Sequence, residues 1–309
     1  MNAVCHSLRH AAQGAPLSKR RACDALTPNA AAWKAALLGL PRRRSRLCSR
    51  LATTLVLALG FGAAGILPAA AAPGAGVFGS SERNTSALIG IFYDLKQTQQ
   101  RAPADGSKRF AAIVDEFVVS GFDEALLNNY YRAPLPLYTT QIAMHRMSAE
   151  EAPKAFGVED EVKPRAWIVH YKAQVAPPED GTYRFLGRAD DMMIVAINRK
   201  VVLNGSLGST KLPKLNWTSP EPKGAPLAGH RSAVYGDWIE LKADQPVDLD
   251  ILVGERPGGI FNALLFYQKQ GEAYPSLGGK PVVPLFQVAE QKEDKREYLT
   301  DRPVWRCLE

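Results

Sequence analysis

VAPPEDGTYRFLGRADDMMIVAINRKVVLNG, residues Val175 to Gly205, decides the fold. Pro177 to Gly181 is a turn cluster, because proline fixes φ and Asp-Gly favours a tight reversal. Thr182 to Arg188 then reads as a strand, and Met192 to Ile197 as a second. Asn198-Arg199-Lys200 turns the chain into a hairpin partner over Val201 to Leu203.

The same grammar continues downstream. Asp237 to Lys242 is a strand, Ala243 to Pro246 a turn, and Val247 to Val253 an alternating strand. Arg256-Pro257-Gly258-Gly259 turns into Ile260 to Gln268, and Val282 to Phe286 reads as an edge strand. Between these elements, residues 207–227 form a loop rich in Pro, Gly, Ser and Lys, whose length points to function.

Upstream, Ala166 to Val175 alternates large apolar and polar residues, with Trp167 and Tyr171 as core candidates. Leu88 to Asp94 and Leu137 to Met144 are further strands. Phe110, Ile113, Val114, Phe117 and Val118 instead recur at helical spacing, and Gly121 breaks that helix. Asp123 to Tyr130 continues it as a second helical piece. Ser148 to Glu151 has capping-box spacing for a short helix through Ala155. Many short strands with turn chemistry between them predict a mainly β chain, a sandwich or barrel, with a partly helical insertion over 108–160 after the first strand.

The motif order resembles the PA14 family, the β-sandwich module found in protective antigen, yeast flocculins and many secreted glycosidases. The matches are Glu179 to Phe185, then Asp190-Asp191, then Ile197 to Lys200, then Val253 to Gly259 and Ala263 to Phe266, with Phe92-Tyr93-Asp94 as the opening strand. The resemblance covers roughly residues 90–95 and 166–268 and implies a PA14-like β-sandwich over 88–289. It departs from the family at the 108–160 insertion and at Met192-Met193, where the family often has a glycine and a polar residue.

Adjacent carboxylates at a strand-entry turn repel each other unless a cation or hydrogen-bond donors sit between them. Hard oxygen ligands of this kind suit calcium. In sugar-binding members of the family such a pair holds calcium, which holds sugar hydroxyls, and the resemblance implies the same role for Asp190 and Asp191. Calcium takes about six to eight oxygens, so further ligands must come from a second loop. Glu255 is the first candidate there and Asn262 the second. Asn216 and Trp217, in the long loop, are candidate sugar ligands, with Trp217 as a stacking platform. The alternative is that the acidic pair only ties a turn.

Enzyme constellations are poor. His145, His170 and His230 lack metal spacing such as HExxH, no GxSxG is present, and Gly254 to Gly259 lacks the residues of a phosphate loop. The three histidines read as strand or loop residues, and the chain reads as a non-catalytic module. Asn84, Asn204 and Asn216 head formal glycosylation sequons, which matter only in a eukaryotic secretory host.

The net charge of +7 misleads. Residues 1–72 hold ten of the 38 Lys/Arg and one of the 31 Asp/Glu, Asp24, leaving 28 basic against 30 acidic residues in the remainder. Such a body gives no basis for counterion-release binding to nucleic acid. Residues 41–72 run from PRRRSRLCSR through the uncharged apolar stretch Leu51 to Leu67 to Ala69–Ala72, the order of an export leader with cleavage after Ala70 or Ala72. Left uncleaved, that leader would be the chain's membrane contact. Residues 73–87 read as a linker and 290–309 as a charged, frayed tail. Cys307 is then the single thiol of the mature chain. The expectation is a secreted or periplasmic envelope protein that binds a polysaccharide or glycan. A structural or protein-interaction module with no small ligand is the alternative.

Overall fold

The computed structural model describes residues 76–208, 212–213, 215–221, 226–228, 233–290 and 298–308. The leader, Cys5, Cys23, Cys48, His230 and parts of the linker and long loop lie outside them. In chain order the elements are β1 (Leu88–Asp94), helix α1 (Gly106–Val119), a 3-10 turn (Glu124–Leu127), β2 (Tyr131–Arg132), β3 (Leu137–Thr139), β4 (Ala143–Ser148), α2 (Glu151–Ala155), β5 (Trp167–Ala176), β6 (Gly181–Asp190), β7 (Met192–Ile197) and β8 (Lys200–Asn204). They continue with β9 (Val234–Tyr235), β10 (Ile239–Leu241), β11 (Val247–Glu255), β12 (Ile260–Lys269), the pair β13 (Ser276–Leu277) and β14 (Lys280–Pro281), and β15 (Arg306–Leu308).

Two antiparallel sheets pack face to face, the mainly β sandwich that the sequence predicts. The larger runs β2-β1-β5-β11-β7-β8, with β3 also beside β1 and β15 beside β5. The smaller runs β10-β6-β12-β4, with β9 beside β6. Side chains from both fill the space between them, among them Phe92, Trp167 and Val253 from the larger and Phe185, Phe261 and Leu265 from the smaller. Trp167 and Tyr171 are fully buried, as expected.

Helix α1 lays the five apolar residues read from the sequence onto the outer face of the larger sheet, over Ile91, Tyr93, Ile168, Ile194 and Leu252. Each buried side chain of this kind contributes roughly 1.5–3 kcal/mol. The first helical residue, Gly106, passes so close to Leu95 that a Cβ there would lie 1.9 Å from its carbonyl oxygen, so the position requires glycine. This cover explains why β7 is buried along its whole length. Met193, Val195 and Ile197 face the main core, while Met192, Ile194 and Ala196 face the helix.

Several expectations are corrected. Leu137 to Met144 is not one strand: the chain leaves β3 in the larger sheet and enters β4 in the smaller. Within 108–160, therefore, only the part through Leu127 and α2 is helical, and β2, β3 and β4 lie between them. The capping box does not form, since the Ser148 hydroxyl accepts from Glu150 N at 3.3 Å and α2 has no side-chain cap. Val282 to Phe286 makes isolated bridges instead of a strand. The described end of the linker is docked: Phe78 is in the core, and its carbonyl accepts from the Tyr171 hydroxyl at 2.9 Å. The tail returns as β15, with Trp305 fully buried and Cys307 half-buried opposite Val175.

Candidate functional site

Consecutive strands β6 and β7 belong to opposite sheets with one residue between them, Asp191. Strands β11 and β12 also belong to opposite sheets, joined by Arg256 to Gly259. Gly254 pairs with Met192 and Asn262 with Asp190, so both crossings lie at the same end of the sandwich. Register therefore brings Asp190, Asp191, Glu255 and Asn262 to one corner. Glu255 ends β11 instead of opening the loop after it.

The Asp190–Asp191 peptide bond is cis. Asp191 is 8% exposed; its Oδ2 accepts the Arg256 backbone N–H at 3.0 Å, and its carbonyl accepts from Leu207 N at 2.7 Å. Glu255 is 1% exposed, and its Oε1 accepts the Gly258 N–H at 2.8 Å. Gly258 sits at φ +91°, and a Cβ there would stand 3.0 Å from the Pro164 carbonyl, so the turn that delivers this N–H favours glycine. The second oxygen of Glu255, Oε2, is buried with no hydrogen-bond partner among the described residues. Trp167, opposite Glu255 on β5, likewise holds a buried Nε1 without a partner, as does Asp94 Oδ2 opposite Trp167 on β1.

The three acids charge against one another. Burial, then the Asp191 carboxylate, hold Asp190 above the usual carboxylate range despite the fields of Arg146 and Arg188. Glu255 is pushed up to about 8, first by burial and then by the Asp191 charge, with the Gly258 bond acting against the rise. Among the described residues no ion pair forms to any of the three. An arrangement of this kind holds a shared proton or takes a cation from outside.

The donor chemistry fits a hard divalent cation, because every donor is an oxygen and one buried carboxylate oxygen has no partner. The ligand set is not complete in side chains. As they stand, no three His, Cys, Asp or Glu among the described residues could hold a metal ion together, so Asp190, Asp191 and Glu255 would have to draw closer around one.

The structure does not bring Asn216 and Trp217 to this corner. Trp217 is half-buried against the main core, and its indole N–H donates to Asp237 Oδ2 at 3.0 Å. The neighbouring Gly236 N donates to the Phe185 carbonyl, five residues before Asp190 on β6, or about 17 Å along a strand. Trp217 thus plugs a core edge instead of offering an open platform; Asn216 beside it is exposed. A cavity of about 710 Å³ opens elsewhere, lined by Ser80, Asn84, Tyr138, Gln141 and His145 among others.

Sequence reasoning missed the surroundings of His170. It is 1% exposed under α1, with Nε2 2.8 Å from Asp250 Oδ1 and Nδ1 3.5 Å from Glu124 Oε1. Its 46-residue distance from Glu124 and 80-residue distance from Asp250 leave no local signal.

The architecture defines an antiparallel β-sandwich with an acidic corner where two crossings between its sheets meet. The family model described as PA14 domain matches residues 149–262, a span that includes Asp190, Asp191, Glu255 and Asn262. The matched span runs from α2 into the start of β12, and β1, α1 and β15 lie outside it. Among solved structures it is similar to a PA14 sugar-binding domain from an RTX adhesin, at 18% identity and TM-score 0.36, covering 62% of this chain and 93% of that one. It is also similar to the PA14 domain of the MpAFP antifreeze protein, at 14% identity and TM-score 0.37, covering 60% and 84%. A third is the epithelial adhesin 6 A domain of Candida glabrata in complex with Galβ1-3GlcNAc, at 12% identity and TM-score 0.36, covering 63% and 84%. No curated protein matches the chain significantly. Among the described residues no helix is long and apolar enough to cross a membrane.

Proposed function

We propose that the protein is an exported, non-catalytic carbohydrate-binding module that uses calcium at the corner between its sheets. The observation that carries this reading is the buried Glu255 carboxylate, set against Asp191 with one oxygen unpartnered and no ion pair nearby among the described residues. Asp190, Asp191 and Glu255 would hold the ion. Bound there, calcium would supply open coordination positions for vicinal sugar hydroxyls. The protein's own part is to fix the carboxylates: the Arg256 N–H orients Asp191, and the Gly258 N–H orients Glu255. Asn262, opposite Asp190 in the β6–β12 ladder, stands at the right strand position to offer its amide to a hydroxyl. Export rests on the order of charge, apolar run and small residues in 41–72.

The second reading is a structural or protein-interaction module. It draws on the two backbone N–H groups that already tie Asp191 and Glu255 to the β11–β12 crossing. A glycan array run with calcium and with EGTA separates the two. The carbohydrate reading expects binding that EGTA removes and that Asp190→Ala/Asp191→Ala abolishes. Silence of the wild type on the array in calcium would sink it.

A further inference from the structure

We propose that Trp238, on the outer face of the smaller sheet, is a second carbohydrate platform that stacks on the flat face of a polysaccharide chain. This rests on the carbohydrate reading above but uses neither calcium nor the acidic corner.

The four described tryptophans have different fates. Trp167 and Trp305 are 0% exposed, and Trp217 is half-buried with its indole bonded to Asp237. Trp238 is 39% exposed, and no hydrogen bond to its indole N–H forms among the described residues.

The ring is fixed before any ligand arrives. Ile239 pairs with Tyr183, whose ring is in the main core, so the next rung places Trp238 beside Arg184 on the opposite, outer face. The Arg184 guanidinium lies 4.2 Å from the Trp238 ring centroid and 4.5 Å from that of Tyr235. Arg184 is itself pinned: its Nε donates to Gln268 Oε1 at 2.9 Å, and it pairs with Glu221. A cation against an aromatic ring is attractive, and a ring held in place loses little freedom on binding.

The chemistry matches a pyranose polymer. The C–H face of a pyranose is apolar and packs on an indole, while its rim of hydroxyls needs donors and acceptors. The Trp238 N–H and the half-exposed Glu221 carboxylate supply one of each beside the ring.

The test is affinity electrophoresis of the full-length protein in native gels cast with laminarin, xylan or galactomannan, all in EGTA. The wild type should be retarded by at least one polymer, and so should Asp190→Ala/Asp191→Ala. Trp238→Ala should lose at least tenfold in affinity, and Trp238→Phe should keep most of it, with calcium heats unchanged in both and both variants folded at the temperature of the gel. No retardation of the wild type by any of the three, or equal retardation of Trp238→Ala, would overturn the proposal. Because the gels contain EGTA, this failure is distinct from loss of the calcium-dependent signal on the array.

Discussion

Two groups of acids, each with a buried member, sit on the same sandwich and are treated in opposite ways. Under α1, Asp250 and Glu124 share the His170 imidazole, and Lys172 Nζ lies 2.6 Å from Glu124 Oε1. Phe122 stacks on that imidazole at 5.5 Å and Phe117 meets it edge-on at 5.3 Å. At the inter-sheet corner, among the described residues, Asp190, Asp191 and Glu255 face one another and two backbone N–H groups, with no ion pair and only the weaker fields of Arg146 and Arg188 on Asp190. The contrast is plain in the proton affinities. Glu124 is drawn down to about 2, led by its contact with His170, and Glu255 is driven up to about 8, led by burial. Where the chain supplies its own cations, the acids hold the fold together. Where the only cations are the more distant Arg146 and Arg188, burial and mutual repulsion win, and Asp190 and Glu255 are held in their protonated form more strongly.

The largest expected effect breaks the first group. His170→Ala removes the cation shared by two carboxylates and opens a cavity beside Phe117 and Phe122, which should cost about 3–5 kcal/mol in urea unfolding. The cost should depend on pH. Burial lowers the affinity of His170 for its proton, but Asp250 and Glu124 raise it further, for a net rise. The stabilisation is therefore full below about 6.5, the ordinary histidine value, and fades as pH rises through the raised folded value. A wild-type advantage that grows with pH from 6 to 9 would contradict this assignment.

A smaller effect sharpens the comparison, because the same chemical change should have opposite signs in the two groups. Glu124→Gln should destabilise by about 1–3 kcal/mol, having lost charge-assisted contacts to His170 and Lys172. Glu255→Gln, measured in chelator at pH 7, should stabilise by on the order of 1 kcal/mol, because the wild-type carboxyl must take up a proton to be buried there, whereas the amide is neutral in both states and keeps an acceptor for the Gly258 N–H. Equal signs in chemical denaturation would mean that the two groups do not differ as described.

How much of this was legible in sequence follows from the range of each interaction. The face of α1 was legible because its five apolar residues lie within nine positions and share one helical period. The acidic pair was legible because its members are adjacent, and Glu255 because the motif order placed it near them. What register decides was not legible. Sequence could not show that Trp217 is tethered to Asp237, that the chain changes sheets between Thr139 and Ala143, or that β15 completes the edge of β5 beyond β1. The His170 group needs β5, β11 and the 3-10 turn to be stacked before its charges meet.

The most direct measurement is calcium titration of the protein by isothermal calorimetry, with a thermal melt alongside. The account expects heat from the wild type and a higher melting temperature, since an ion at 100 times its Kd adds about 2.7 kcal/mol of stability. Asp190→Ala/Asp191→Ala should show neither. A wild type with no heat and no shift in melting temperature would contradict the central claim and leave the acidic corner as a tie between two chain crossings.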